Sequence, residues 1–106
     1  MQEPWKTDKW FISPWNYLPD VTTHYNFPAN IKIHDVTLRD GEQQTAVVFR
    51  REEKVAIAKK LDAPGVHRIE AGRPAVSPPG RAAVSDIAAL GLKAGIFGFS
   101  RCLPAV

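Results

Sequence analysis

A chain of 106 residues, 44% hydrophobic and 24% charged, has the composition of a globular protein and the length for one small domain at most. It has no apolar run of the roughly 18 residues a membrane span needs. "MQEPWKTDKW" lacks the basic start and apolar core of a signal peptide, and the single cysteine, Cys102, excludes an internal disulfide framework and suits a reducing cytoplasm. The net charge of +3 is scattered among acids rather than gathered in one stripe, so neither nucleic acid nor membrane is expected as a partner.

Residues 1–30 hold all three tryptophans, both tyrosines and four of the nine prolines (Pro4, Pro14, Pro19, Pro28). Prolines at that density prevent a long helix. The aromatics seek a surface to cover, which predicts an irregular leader that packs onto a larger body. From residue 31 the pattern becomes regular. "IKIHDVTL" is β-branched and partly alternating, which predicts a strand. "REEKVAIAKKLDA" sets Val55, Ala58 and Leu61, with Ile57, along one helical face, and Pro64 and Gly65 stop it. "VHRIEAG" predicts a second strand. Ser77 and Pro78 suit an N-cap and first helical position. "RAAVSDIAALG" then offers Val84, Ile87, Ala88 and Leu90 as an apolar face, and "KAGIFGFS" predicts a third strand. Alternating strands and helices with short connections imply right-handed crossovers and a parallel α/β sheet. Two helices cover little of such a sheet and leave both edges open. Marginal stability or self-association is therefore expected.

The loop after a parallel strand is where sites are built, and Arg39 to Gln44, "RDGEQQ", follows the first strand. Asp40 can give a hard oxygen ligand to a divalent cation. Arg39 can polarise a carbonyl or hold an oxyanion. Gln43 can hydrogen-bond a substrate, and Gly41 permits the turn. A polar loop with an Arg–Asp surface pair accounts for the same residues without function. Glu70 has a bland alternative too, a strand-end pair with Arg68 or Arg73. His34 and His67 are expected to be packed rather than ligands, and Cys102 to be small and buried.

The segments "DVTLRDGEQQ", "EEKVAIAKKL" and "GVHRIEAGRPAVS" together resemble the N-terminal part of the metal-dependent acyl-CoA condensing and cleaving TIM-barrel family. That family includes isopropylmalate, homocitrate and citramalate synthases, hydroxymethylglutaryl-CoA lyase and the pyruvate carboxyltransferase domain. The resemblance runs over residues 31–101 and implies a partial (β/α)8 barrel: the first three strands and two helices in residues 31–106, behind the leader of residues 1–30. It implies Arg39 and Glu70 as catalytic, Arg39, Gln43 and Arg101 as substrate-binding, and Asp40 as a ligand of Mg²⁺, Mn²⁺ or Zn²⁺. Ser100 is a weaker substrate contact. The implied reaction is a Claisen condensation of acetyl-CoA or another acyl-CoA with a 2-oxo acid, in a cytoplasmic homo-oligomer when complete. A related acyl-CoA lyase and a non-catalytic fragment are the alternatives. Glu42–Gln43 leans toward the synthases.

The chain also departs from the family pattern. The family's downstream His-x-His metal pair has no counterpart among His24, His34 and His67, and a complete barrel needs about 250 residues. Arg50 stands where a Ser or Thr N-cap is usual, which predicts a loss of about 1 kcal/mol. Pro64 enters the end of the first helix, Pro79 and Gly80 enter the start of the second, and Arg73 replaces an apolar loop residue. These departures suggest a truncated or decaying copy, inactive alone.

Overall fold

The structure, a computed structural model, describes residues 3–104. It divides into two compact units, Met1–Ile31 and Lys32–Val106.

In the first unit the prolines act as sequence chemistry dictates. Pro14 opens a 3-10 turn, Pro14–Tyr17, and Pro19 opens the one-turn helix α1, Pro19–Thr22. Lys6 and Phe11 form an isolated antiparallel bridge. The Thr7 hydroxyl accepts the Lys9 and Trp10 N–H groups at 3.1 and 3.2 Å, closing the turn between them. Trp5 and Tyr17 pack with ring centroids 5.6 Å apart.

The second unit contains β1 (His34–Asp35), a 3-10 turn (Gly41–Gln43), α2 (Arg51–Asp62), β2 (Arg68–Gly72), α3 (Pro78–Ala88) and β3 (Gly95–Gly98). The strands form one parallel sheet in the order β1-β2-β3. This is the parallel sheet that the alternation predicts, and it fits the partial barrel that the resemblance implies, with the sheet open. No described helix is long and apolar enough to cross a membrane.

β1 is shorter than the sequence suggests. Its pairing continues backwards only as Arg68 N–H to Ile33 C=O at 3.1 Å. It stops because the Asp35 carboxylate accepts the Thr37 N–H and hydroxyl, at 2.9 and 3.1 Å. The N–H groups of Arg39, Asp40 and Gly41 then converge on the Val36 carbonyl. A β-branched run is thus turned by an aspartate bonding its own backbone, a competition that propensity does not register.

α2 carries Glu52 and Glu53 in its first turn and Lys59 and Lys60 in its last, signs that match the helix dipole. Arginine has no acceptor, so the expected weakness at Arg50 is real on one side. The other side is compensated: Glu53 accepts the Arg50 N–H at 2.7 Å and its guanidinium at 3.0 Å. α3 begins as predicted, with the Ser77 hydroxyl accepting the Gly80 N–H at 3.2 Å and Pro78 at the first position. Gly80 also has a reason to be there: a Cβ would meet Ser77 Oγ at 3.0 Å and the Arg73 carbonyl at 3.3 Å. Ser77→Ala should lower stability by about 1 kcal/mol, read as a shift in the urea midpoint at unchanged slope.

β2 is the covered centre. Ile69 and Ala71 join Leu38, Ala58, Ile87 and Ala94 in the core, and Val55, Ile57, Leu61, Val84 and Ile96 pack against it. The α3 face is rotated from expectation: Ala83 and Ile87 are buried, one turn apart, while Ala88 is exposed. An Arg51–Asp86 ion pair joins α2 to α3, and Asp62 accepts the Ala94 N–H at 2.8 Å. His67 is exposed rather than packed and accepts the Ile33 N–H through Nδ1. Cys102 is exposed, not buried, because the chain beyond β3 has no layer over it.

Candidate functional site

Side chains alternate along a strand. With Ile69 and Ala71 in the core beneath the helices, Glu70 emerges on the other face of the sheet. The parallel register sets Glu70 beside Phe97 of β3, and His34 beside Arg68. The result is a polar cluster on the uncovered face, at the end of β1 and β2 where the chain leaves for its loops.

Arg39 is the centre of the cluster. Its Nε donates to Glu70 Oε1 at 2.5 Å, and Nη1 donates to Gln43 Oε1 at 3.2 Å and Asp40 Oδ1 at 3.3 Å. The guanidinium lies over the Phe99 ring, 4.9 Å from its centroid. Nη2 has no hydrogen-bond partner among the described residues, so one edge of the fork stays available. The other Glu70 oxygen bonds His34 Nε2 at 3.0 Å, and the His34 ring meets Phe97 edge-on at 5.5 Å.

Electrostatics follow the geometry. The Arg39 hydrogen bond, then the His34 one, holds Glu70 below the ordinary carboxylate range against the opposing effect of burial. Glu70 in turn raises Arg39, whose charge is secure. The alternative partners of Glu70, Arg68 and Arg73, are not the ones it takes. Arg68 lies over Phe97 and Arg73 over Phe99, each 5.7 Å from the ring centroid.

The loop that carries Arg39 is braced from behind. Glu42 accepts the Phe49 N–H at 3.0 Å and the ammonium of buried Lys54 at 2.5 Å. Lys54 ties the 3-10 turn to α2 from the same helical face as buried Ala58, where an apolar residue would be expected. Gly72 ends β2 at φ +145°, in a region that favours glycine, and its carbonyl accepts the Phe99 N–H at 2.8 Å. That bond fixes where the ring under Arg39 stands.

The structure thus brings Arg39, Asp40, Gln43 and Glu70 together. Arg101 lies outside this hydrogen-bonded cluster. It lines an adjoining hollow with Arg73, Phe99 and Ser100, whose hydroxyl donates to the Arg101 carbonyl at 3.1 Å. Sequence reading missed His34, treated as packed, and Phe99. Strand parity carried a signal for His34, since a residue paired with Arg68 shares the face of Glu70.

A divalent metal fits these residues poorly. Among the described residues no three His, Cys, Asp or Glu side chains stand close enough to share an ion. Asp40 offers one carboxylate, 63% exposed and already facing Arg39. A catalytic zinc site uses three protein ligands. Asp40 alone does not make a selective site.

Comparison with known proteins adds to this geometry. A family model described as HMGL-like matches residues 30–104. Homocitrate synthase AksA of Methanothermobacter thermautotrophicus is 45% identical over 93 residues, covering 88% of this chain and 23% of that protein. Homocitrate synthase 1 of Nostoc sp. is 49% identical over 73 residues, or 69% of this chain and 19% of that protein. A probable 2-isopropylmalate synthase of Methanopyrus kandleri is 50% identical over 76 residues, or 72% of this chain and 15% of that protein. The chain therefore spans less than a quarter of the length of each of these relatives.

Proposed function

Because the chain belongs to the HMGL-like family, we propose that Arg39 and its partners form one wall of a site that condenses an acyl-CoA, acetyl-CoA foremost, with a 2-oxo acid. The observation that carries this reading is the Arg39 fork. Three of its hydrogen bonds go to protein groups that fix its plane, and Nη2 is left over to meet an oxygen of the ligand. A guanidinium held in place, on an aromatic ring and away from bulk water on one side, stabilises developing negative charge without reorganising.

In this reading Arg39 binds the keto or enolate oxygen, and Gln43 holds the fork while facing the same space. Glu70 is a positioning residue. Its carboxylate is stabilised as the anion and engaged at both oxygens, which suits orienting Arg39 better than accepting a proton. Asp40 contributes one oxygen to a metal site whose other ligands are not among the described residues, and no step is assigned to that ion. The homocitrate and isopropylmalate synthase relatives favour a synthase over a lyase. The missing donor set favours the reading that this chain alone does not turn over.

The experiment is a titration of the 106-residue chain with a 2-oxo acid, followed by NMR at the arginine Nε–H signals. Arg39 should shift together with the Gln43 side-chain amide that accepts from it, and Arg39→Lys should abolish the Gln43 response because one ammonium cannot reproduce the fork. A 2-oxo acid that leaves the Arg39 signal in place would remove the basis of the proposal. The same chain should bind Mg²⁺ more weakly than about 1 mM, the weak end for protein oxygen sites. It should also release no CoA from acetyl-CoA and a 2-oxo acid. Calorimetry and a thiol assay check these two expectations.

A further inference from the structure

No role falls to His34 from the sequence, yet the fold sets it against Glu70. Its register partner on β2 is Arg68, two residues before Glu70, so His34 and Glu70 are diagonal neighbours on the uncovered face of the sheet. His34 Nε2 stands 3.0 Å from Glu70 Oε2, and Arg39 Nε donates to Oε1 of the same carboxylate. Glu70 is held as the anion, so the proton in the His34 bond belongs to Nε2. The ring is held in turn. It meets Phe97 edge-on at 5.5 Å, and its side chain is 35% exposed against 11% for Glu70. One donor would fix one oxygen and leave the carboxylate free to swing about that bond. Two donors, one on each oxygen, fix its plane.

We infer that His34 is a positioning residue: its Nε2–H anchors Glu70 across the β1–β2 junction, and Glu70 so anchored aims the Arg39 fork. The other hydrogen bonds of that fork, to Asp40 and Gln43, come from its own loop. A shift of the loop carries those two along with Arg39, whereas Glu70 stays with β2. Among the described residues Glu70 gives the guanidinium its one hydrogen bond from the sheet. The orientation of Arg39 relative to the strands therefore depends on how firmly Glu70 is held, and His34 is what holds it. The consequence for binding rests on the reading of Arg39 as the group that meets a ligand oxygen; the anchoring itself does not.

The test is water exchange of the Arg39 Nε–H in the full chain without ligand, followed by NMR in two variants. His34→Gln keeps an N–H donor at a similar reach and loses the ring. His34→Phe keeps a ring against Phe97 and loses the donor. His34→Phe should speed the exchange by up to about tenfold, the lower end of what a hydrogen bond to a charged group is worth. His34→Gln should stay near wild type. Urea midpoints of both variants report general stability separately. In a Glu70→Ala background His34→Phe should add no further acceleration, because the carboxylate through which His34 acts is gone. An unchanged exchange in His34→Phe, a loss of protection in His34→Gln as well, or an equal acceleration in the Glu70→Ala background overturns the inference. With a 2-oxo acid present, the Gln43 amide response should weaken in His34→Phe and persist in His34→Gln. If the wild-type chain gives no such response, the binding role proposed for Arg39 fails, while the order of exchange rates still decides whether His34 is the anchor.

Discussion

Ile69→Ala should cost about 2–5 kcal/mol, the range for deleting a buried Ile side chain and leaving a cavity. Ile69 is fully buried at the centre of β2, and among the described residues only Leu38 and Ile87 match it as large side chains with no exposure. The rest of the core is alanine, at positions 58, 71, 83 and 94, which contributes little apolar area per residue. A small domain has about 5 kcal/mol in hand, so one such deletion removes most of it. Urea denaturation should show the midpoint falling sharply or no folded baseline at all. Val48→Ala is the control. Val48 is 81% exposed, and its loss should stay within about 0.5 kcal/mol. An Ile69→Ala midpoint as small in its shift as the control's would mean that β2 is not the structural centre.

The features legible in the sequence are those set by local chemistry. Ser77 and Pro78 announce the start of α3, Pro64 and Gly65 the end of α2, and the alternation of apolar periods gives the parallel sheet. Features set by partners distant in sequence were harder to read. Helical periodicity puts Lys54 on the buried face with Ala58, a place its charge argues against, and it is Glu42, twelve residues away, that accepts its ammonium there. Ala88 looks like core until packing against β2 rotates the α3 stripe toward Ala83. At the site the same division holds. Arg39, Asp40 and Gln43 lie close in sequence and can be proposed as a group. The bond from Arg39 to Glu70, 31 residues on, and the His34 bond behind it depend on strand order and register, which no local pattern encodes.

That long-range bond gives the second large effect, and pH separates it from ordinary packing. Glu70→Gln keeps the shape and one acceptor but removes the charge that Arg39 and His34 share. At pH 7 the variant should be less stable by about 1.5–3 kcal/mol, the net worth of a hydrogen bond to a charged group. The Glu70 carboxyl lies below its ordinary value near 4.5 in the folded chain. The ionised form therefore favours folding, and its contribution is fully present above that ordinary value. As pH falls from there through the lower folded value, the carboxylate takes up a proton and the contribution disappears. Wild type and Glu70→Gln should thus converge in acid, while Ile69→Ala remains destabilised by a similar amount at every pH where the chain folds. A constant gap between wild type and Glu70→Gln down to low pH would assign Glu70 a packing role and leave Arg39 without its anchor. If convergence is seen, the 2-oxo acid response at Arg39 should weaken in the same variant at pH 7. The fork is then held at position 70 by a neutral amide in place of a carboxylate, and a guanidinium less firmly oriented gives up part of the preorganisation that makes it useful for holding an oxyanion.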